Sequence, residues 1–378
     1  MKKLFLASAV SALFSVPATV LAQAKPAPVP TLDKILEASG ISVSGYIDAM
    51  YTHSDRNQVA PAFTTRVFDL ENNSFALRQF GLSVAKQPKE GFGGLVNITA
   101  GKDANVIQSF PGTVNATFDV TQAFLQYAGG PLTLIAGKYV TLQGSEVIWS
   151  PTNVNASHSI LFGAIPFTHT GVRATWALSD TVSLIAGVNN GWDQLTDANR
   201  GKTAELGVTL TPIKPLSITI SDYNGKDSAA GGGVPSTVAA QGSRNSFNVV
   251  GSYTVIDPLT VGLEFLSVSQ QNFTSLVDGS NITAKYTGVA GYVSYMFAPK
   301  FRGVVRAESF DDKDGFHFGT AGTKYKEVTL TGAFLASDSF EARVEARRDQ
   351  ATNTVFTDYA GAASKTMTTL ALQGLYKF

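Results

Sequence analysis

The chain contains no cysteine. That excludes a disulfide framework and any thiolate metal site. Neither sign of charge is in excess, with 29 basic residues against 29 acidic ones in 378. No basic face is therefore on offer to a nucleic acid. Histidine is scarce: His53, His158, His169 and His317 are all there is. None of them stands in a Ser- or Asp-containing hydrolase motif, and the spacing of Glu146, His158 and His169 does not by itself converge a metal site. The run Gly231–Gly233 lacks the strand–helix context of a phosphate loop. No catalytic residue, metal ligand or cofactor is expected. Beyond the first two dozen residues there is also no apolar run of about 18, so no helix is long enough to cross a bilayer.

What is present begins with a leader. Lys2 and Lys3 precede an apolar run from Leu4 to Val16, and small residues follow at Val20 and Ala22. Residues 1–22 therefore read as a secretory signal peptide, with cleavage expected after Ala22 and Ala24 as the alternative. Losing Lys2 and Lys3 would leave the mature chain slightly acidic. Residues 23–40 form a separate piece: a Pro/Ala-rich linker, then two helical turns with Thr31 as N-cap and Gly40 as the stop.

From residue 41 to residue 378 the pattern is strand after strand. The last thirteen residues show it most clearly. Leu370, Leu372, Gly374, Tyr376 and Phe378 share one face, and Thr369, Ala371, Gln373, Leu375 and Lys377 share the other. Segments of about ten alternating residues recur along the chain, the length a tilted strand needs to cross a bilayer. Short turns at 87–91, 129–131, 179–180, 212–215, 257–258, 299–300 and 337–339 alternate with long polar loops at 53–73, 101–117, 140–169, 190–202, 224–244, 270–284, 311–324 and 351–365. Soluble sandwiches have no reason to sort their connections this way. The expected fold is all-β: a transmembrane antiparallel up-and-down β-barrel of about 16 strands, with short periplasmic turns and long extracellular loops. Aromatics beside the short turns, among them Trp176, Tyr295, Phe301, Phe334, Phe340, Tyr376 and Phe378, would form an interfacial girdle.

If the apolar parity faces lipid, the other parity faces the lumen. Residues 340–349 give the clearest division, with Phe340, Ala342, Val344 and Ala346 outward and Glu341, Arg343, Glu345, Arg347 and Asp349 inward. Such charges on the lipid face would cost about 2–4 kcal/mol each at the midplane. Arg173, Glu205, Glu264, Arg306, Glu308 and Glu327 also fall on the inward parity of their strands. Two roles stay open for this set: lining a water-filled pore, or stiffening the wall as ion pairs. The loop 140–169 differs from its neighbours in carrying apolar stretches at 147–149, 160–162 and 164–167, which an exposed loop would not hold. It is expected to fold against the inner wall and set the size cutoff, with Glu146, His158 and His169 as its polar groups; the alternative is an external packed loop that contacts a partner or a second subunit.

Four stretches extend the picture: ASGISVSGYIDAMY at 38–51, LTLIAGKYVTLQGSE at 132–146, SILFGAIPFTHTGVR at 159–173 and the closing LQGLYKF. Together they resemble the OmpL-like β-barrel porin family of Gram-negative bacteria over nearly the whole mature chain. The terminal strand, with Tyr376 and Phe378, resembles the signal read by the barrel-assembly machinery. The resemblance implies a bacterial outer-membrane porin for passive diffusion of small hydrophilic solutes. It supplies no substrate residues. The implied surroundings are outer-membrane lipid and lipopolysaccharide, and a homo-oligomer stays open. Two alternatives remain at this point: a substrate-specific channel, and a surface receptor or adhesion barrel with little conductance.

Overall fold

The computed structural model describes residues 31–56, 65–68, 70–110, 112, 116–197, 199–226 and 242–378. The leader expected at 1–22 and the linker up to residue 30 lie outside them. The chain divides into two units, Met1–Ser39 and Gly40–Phe378. In the first, Leu32–Ser39 forms helix α1, whose Ser39 hydroxyl donates back to Leu36 O.

The second unit is a closed barrel of sixteen strands. In chain order these are β1 (Ser42–Ser54), β2 (Ser74–Lys86), β3 (Gly91–Ala100), β4 (Phe118–Gly129), β5 (Leu132–Val140), β6 (Thr168–Ser179), β7 (Val182–Asn189) and β8 (Thr203–Ile213). The second half comprises β9 (Leu216–Lys226), β10 (Ser243–Ile256), β11 (Leu259–Thr274), β12 (Asn281–Ala298), β13 (Phe301–Asp312), β14 (Thr323–Ser337) and β15 (Phe340–Ala351). A small hairpin of β16 (Phe356–Thr357) and β17 (Ala363–Ser364) stands apart, and β18 (Thr366–Lys377) completes the wall.

Each strand pairs antiparallel with its sequence neighbour, and β18 pairs with β15 on one side and β1 on the other. Closure leaves no unpaired edge, which lets a sheet sit in hydrocarbon. At the seam, Phe378 N donates to Gly45 O at 2.9 Å and Gly45 N donates to Phe378 O at 2.8 Å. A Cβ at residue 45 would meet the Phe378 ring at 2.5 Å, so glycine is what allows the terminal aromatic to lie there.

Burial follows strand parity. Along β15, Glu341, Arg343, Glu345, Arg347 and Asp349 are buried, while Phe340 and Val344 on the opposite face are exposed. The exposed face is the apolar one, the reverse of a water-soluble sheet and the arrangement a lipid-facing wall requires. Near the short turns the outward positions are aromatic. Phe297 and Phe301 rings lie 6.0 Å apart, Phe301 and Phe334 5.1 Å apart, and Phe340 pairs with Tyr376.

One expected boundary is corrected. The loop placed at 270–284 is mostly strand, because β11 runs to Thr274 and β12 starts at Asn281. The upper part of this pair carries Gln270, Gln271 and Asn272, which offer no apolar face, so period-2 alternation fades there. A register shift between Gln270 and Phe273, with Asn272 at φ +57°, disturbs it further.

Candidate functional site: the lumen wall and the segment across it

Segment 141–167 joins β5 to β6 and runs through the barrel interior. Its start is held by β9 to β11. Leu142 N donates to Tyr223 Oη at 3.0 Å, Gly144 N to Asn248 Oδ1 at 3.1 Å, and Ser145 N to Glu264 Oε2 at 2.9 Å. It then meets the far side of the wall, where Gln79 Nε2 donates to Ile148 O at 3.0 Å and Trp149 Nε1 donates to Asn97 Oδ1 at 3.1 Å. A single 3-10 turn, Ser150–Thr152, follows. Helix α3 (Ile160–Gly163) comes next, started by Ser159, whose Oγ accepts from Phe162 N.

The strongest grip comes from β13 to β15, and it is made on backbone groups. Glu345 accepts from Ala156 N at 2.6 Å and Ser157 N at 3.0 Å. Glu308 accepts from Ile160 N at 2.6 Å and Leu161 N at 3.1 Å. Arg343 donates to Asn153 O at 2.7 Å and Asn155 O at 2.9 Å, and Arg306 donates to Ser157 O at 2.7 Å. Arg347 donates to His158 O, and Arg78 of β2 donates to Ala156 O at 2.8 Å. Irregular backbone at membrane depth has orphan N–H and C=O groups that must be satisfied, and charged acceptors and donors do so most strongly.

The arginines are in turn paired with carboxylates of the wall and of the segment. Arg306 reaches Glu327 and Glu146, each at 2.6 Å; Arg347 reaches Asp349 at 2.7 Å and Glu327 at 3.5 Å; Arg343 reaches Glu341 at 2.7 Å. Arg66, from the connection between β1 and β2, adds a contact to Asp349 at 2.8 Å. A buried charge without a partner would be very costly, so each column works as a closed account of donors and acceptors. Of the two roles open for the inward charges, the geometry supports the stiffening one on β13 to β15: the set is buried beneath the segment.

The apolar side of the segment packs as a core. Ile160, Leu161, Phe162, Ile165 and Phe167 are buried with Phe68, Leu266, Tyr286 and Phe310. A Cβ on Gly288 of β12 would lie 2.7 Å from the Leu161 side chain, so the glycine makes the socket that receives it. Tyr286 Oη donates to Ala164 O at 2.7 Å, satisfying the carbonyl after α3.

Glu146 lies inside this network, bridging Arg306 and Ser159 N. His158 is wedged between Phe68 and Phe162, with ring centroids at 4.6 and 4.4 Å, and its Nε2 lies 2.9 Å from both Val147 O and Asn153 Nδ2. Burial, then the positive field of Arg78, pushes its pKa well below the usual imidazole value. His169 requires a correction. It lies in β6, opposite Tyr139, and not in the segment, which ends at Phe167. Its ring stacks on Tyr223 at 4.4 Å, and its Nδ1 lies 3.1 Å from Gly191 O. Pro166, two residues before β6 begins, was the signal that could have marked the start of the strand.

Arg173 and Glu205 form an ion pair of their own on β6 and β8, with the Arg173 guanidinium 4.3 Å from the Tyr139 ring centroid. They lie apart from the fastening on β13 to β15. Sequence reasoning passed over Arg78, Gln79, Arg66, Asn248 and Tyr286. For Arg78 a signal existed: it is the one charge inside the otherwise uncharged stretch 74–85. For Arg66, in a connection without periodicity, there was none.

A family model described as "Putative beta-barrel porin-2, OmpL-like" matches residues 40–378, the whole barrel. The chain belongs to this family. Solved structures share the fold of this OmpL-like porin. The outer-membrane channel DcaP of Acinetobacter baumannii aligns with TM-score 0.60 and 15% identity, over 89% of this chain and 97% of that one. OprB of Pseudomonas putida gives TM-score 0.61 and 13% identity over 91% and 96%. A trimer form of OmpT from Vibrio cholerae gives 0.57 and 13% over 89% and 99%. No curated protein matches the sequence. Family and fold are those of outer-membrane channels rather than enzymes.

Proposed function

We propose that this porin passes small hydrophilic solutes by passive diffusion, through a lumen narrowed by segment 141–167. The observation that carries this reading is the segment's attachment, by backbone hydrogen bonds, to inward side chains on both sides of a closed sixteen-strand barrel. A sixteen-strand barrel is too wide for its wall side chains to fill. The segment therefore sets the cutoff, and paired wall charges give weak ion preference. The inward residues Arg173, Glu205, Glu264, Arg306, Glu308, Glu327, Glu341, Arg343, Glu345, Arg347 and Asp349 divide into those that hold the segment or pair with residues that do, and the Arg173–Glu205 pair, which is buried beside Tyr139. The protein performs no catalytic step. It is exported by a leader cleaved after Ala22 and inserted through recognition of the strand ending in Tyr376 and Phe378. Its long loops face outward, toward lipopolysaccharide. The trimer form of the OmpT structure supports association of copies.

Single-channel recording of the refolded protein in a planar bilayer tests the proposal. Stable steps that scale with salt, and that grow several-fold when residues 145–160 are replaced by a short Gly/Ser linker, are expected. Silence from a correctly folded, heat-modifiable barrel would overturn open diffusion and leave a channel that its own solute must open, a reading that the dense fastening of the segment would then favour.

A further inference from the structure

On β14 and β15 the outward face changes character along its length. From the short-turn end it reads Phe334, Leu330 and Val328 on β14, and Phe340, Val344 and Ala346 on β15, all apolar. The next outward positions are Lys326 and Arg348, both exposed. Each lies eight residues above the aromatic girdle, at Phe334 and Phe340 respectively. With a rise of about 3.4 Å per residue and a tilt of about 40°, that is a height of about 21 Å. The apolar band of an outer-membrane barrel is about 25 Å tall, so the two cations stand where hydrocarbon gives way to headgroups.

The strand register shows what surrounds them. One rung reads Ser309, Lys326, Gln350 and Thr366, and the next reads Val328, Arg348 and Thr368. Neither rung contains a carboxylate. Asp311, one outward position higher on β13, is already engaged with Lys324 at 3.1 Å. Asp55, beyond β18, accepts from Thr368 N at 2.8 Å and pairs with Arg56 at 3.5 Å. Lys326 and Arg348 are thus diagonal neighbours of like charge, close enough to repel. Among the described residues neither makes an ion pair. An anion shared between them would turn the repulsion into two charge-assisted contacts, with Ser309, Gln350 and Thr368 supplying neutral hydrogen bonds around it.

We propose that Lys326 and Arg348 form a binding site for the phosphate of an outer-leaflet glycolipid, held on the outer face of β14 and β15 with its acyl chains against Val328, Leu330 and Val344. The proposal rests on the reading that the long-loop end faces outward. Proteolysis of the long loops on intact cells tests that orientation separately. The apolar strip directly beneath the two cations selects an amphiphile over a free ion, because both halves of the surface are then covered.

The test uses the refolded full-length protein in detergent, with fluorescent lipid A as the probe and dephosphorylated lipid A and inorganic phosphate as comparison arms. The K326Q/R348Q variant is expected to bind lipid A about thirtyfold more weakly, at roughly tenfold per two-thirds of the lost charge pair, given about one surface-charge contribution per residue. The K324Q variant, whose cation is already neutralised by Asp311, should change binding little. Heat-modifiability and single-channel conductance of all variants should match the parent, since none of these side chains faces the lumen. Equal binding by parent and double variant overturns the proposal. So does equal binding of dephosphorylated lipid A, or displacement of lipid A by inorganic phosphate at equimolar concentration.

Discussion

The two sides of the barrel wall solve different problems with the same residue types. On β13 to β15, arginines and glutamates reach inward and end on the backbone of segment 141–167: Glu308, Glu345, Arg306, Arg343 and Arg347 each take part. On β6 to β8 the inward surface is mostly small, with Thr175, Gly187, Gly207 and Thr209 beside one ion pair, Arg173–Glu205. That side meets the segment through neighbouring Tyr223 and through Leu142, which leans over Gly207. A charged column is therefore not by itself a pore lining. What it does depends on whether an unsatisfied backbone lies within reach.

The contrast can be broken most severely at Arg306. Replacing it with alanine takes the ion-pair partner from Glu146, leaves Glu327 with Arg347 alone and frees Ser157 O, and loss of one partner from a buried pair costs about 3–5 kcal/mol. The R306A variant should show a lower unfolding midpoint in detergent and larger, noisier single-channel steps. An unchanged midpoint would mean that the column is not what holds the segment.

The corresponding change on the other side sharpens the comparison. In R173A only Glu205 loses its ion-pair partner, so we expect a smaller loss of stability, unchanged step size, and a reversal potential displaced toward cation preference. Bi-ionic recordings read that displacement. If R173A instead enlarges the steps, the two sides are not functionally distinct.

Acidification acts between these in kind but is weaker per unit. His158 in the segment and His317 in the connection after β13 are buried, and burial lowers the pKa of His317 to about 3, with Arg244 adding to the effect. Above about pH 6.5 both are neutral in folded and unfolded chains alike, and nothing is lost. As pH falls below that, the unfolded chain takes up protons that the fold refuses, so stability declines by about 1.4 kcal/mol per unit for each histidine. For His317 the decline ends near pH 3. Around His158 the facing cations are Arg78, Arg306 and Arg347, so the amide protection factors in 141–167, taken relative to the intrinsic exchange rate at each pH, should fall between pH 6.5 and 4.5 and do so less in H158F. The smallest effect is expected at the exposed pair Lys102–Glu71, 2.8 Å apart, where K102A should cost about 1 kcal/mol or less in the same unfolding assay.

The barrel was legible because lipid imposes a strict alternation that survives in the sequence. Residues 340–349 carry it in full, and the sixteen strands follow from it together with the sorted connections. Where strands leave the membrane the constraint lapses, and the upper part of β11 and β12 was read as loop for that reason. Apolar stretches at 160–162 and 164–167 pointed to a segment seeking cover. Its route was not legible, because the contacts that fix it join Glu345 to Ala156 and Arg343 to Asn153, residues almost two hundred positions apart whose shared feature is only a backbone group. Arg78 was hidden differently: a register shift at Asp48 and Ala49 in the pairing with β1 interrupts the parity count in β2 beside it.

Because the wall charges hold amide and carbonyl groups, that part of the attachment of segment 141–167 does not depend on the side chains that the segment leaves exposed. Val147, which is exposed, could be exchanged for a larger or a charged residue while Glu308, Glu345, Arg306 and Arg343 kept their hold. The barrel is in that sense a mounting that accepts different inserts, and solute preference is free to drift by single substitutions without a fresh solution to folding.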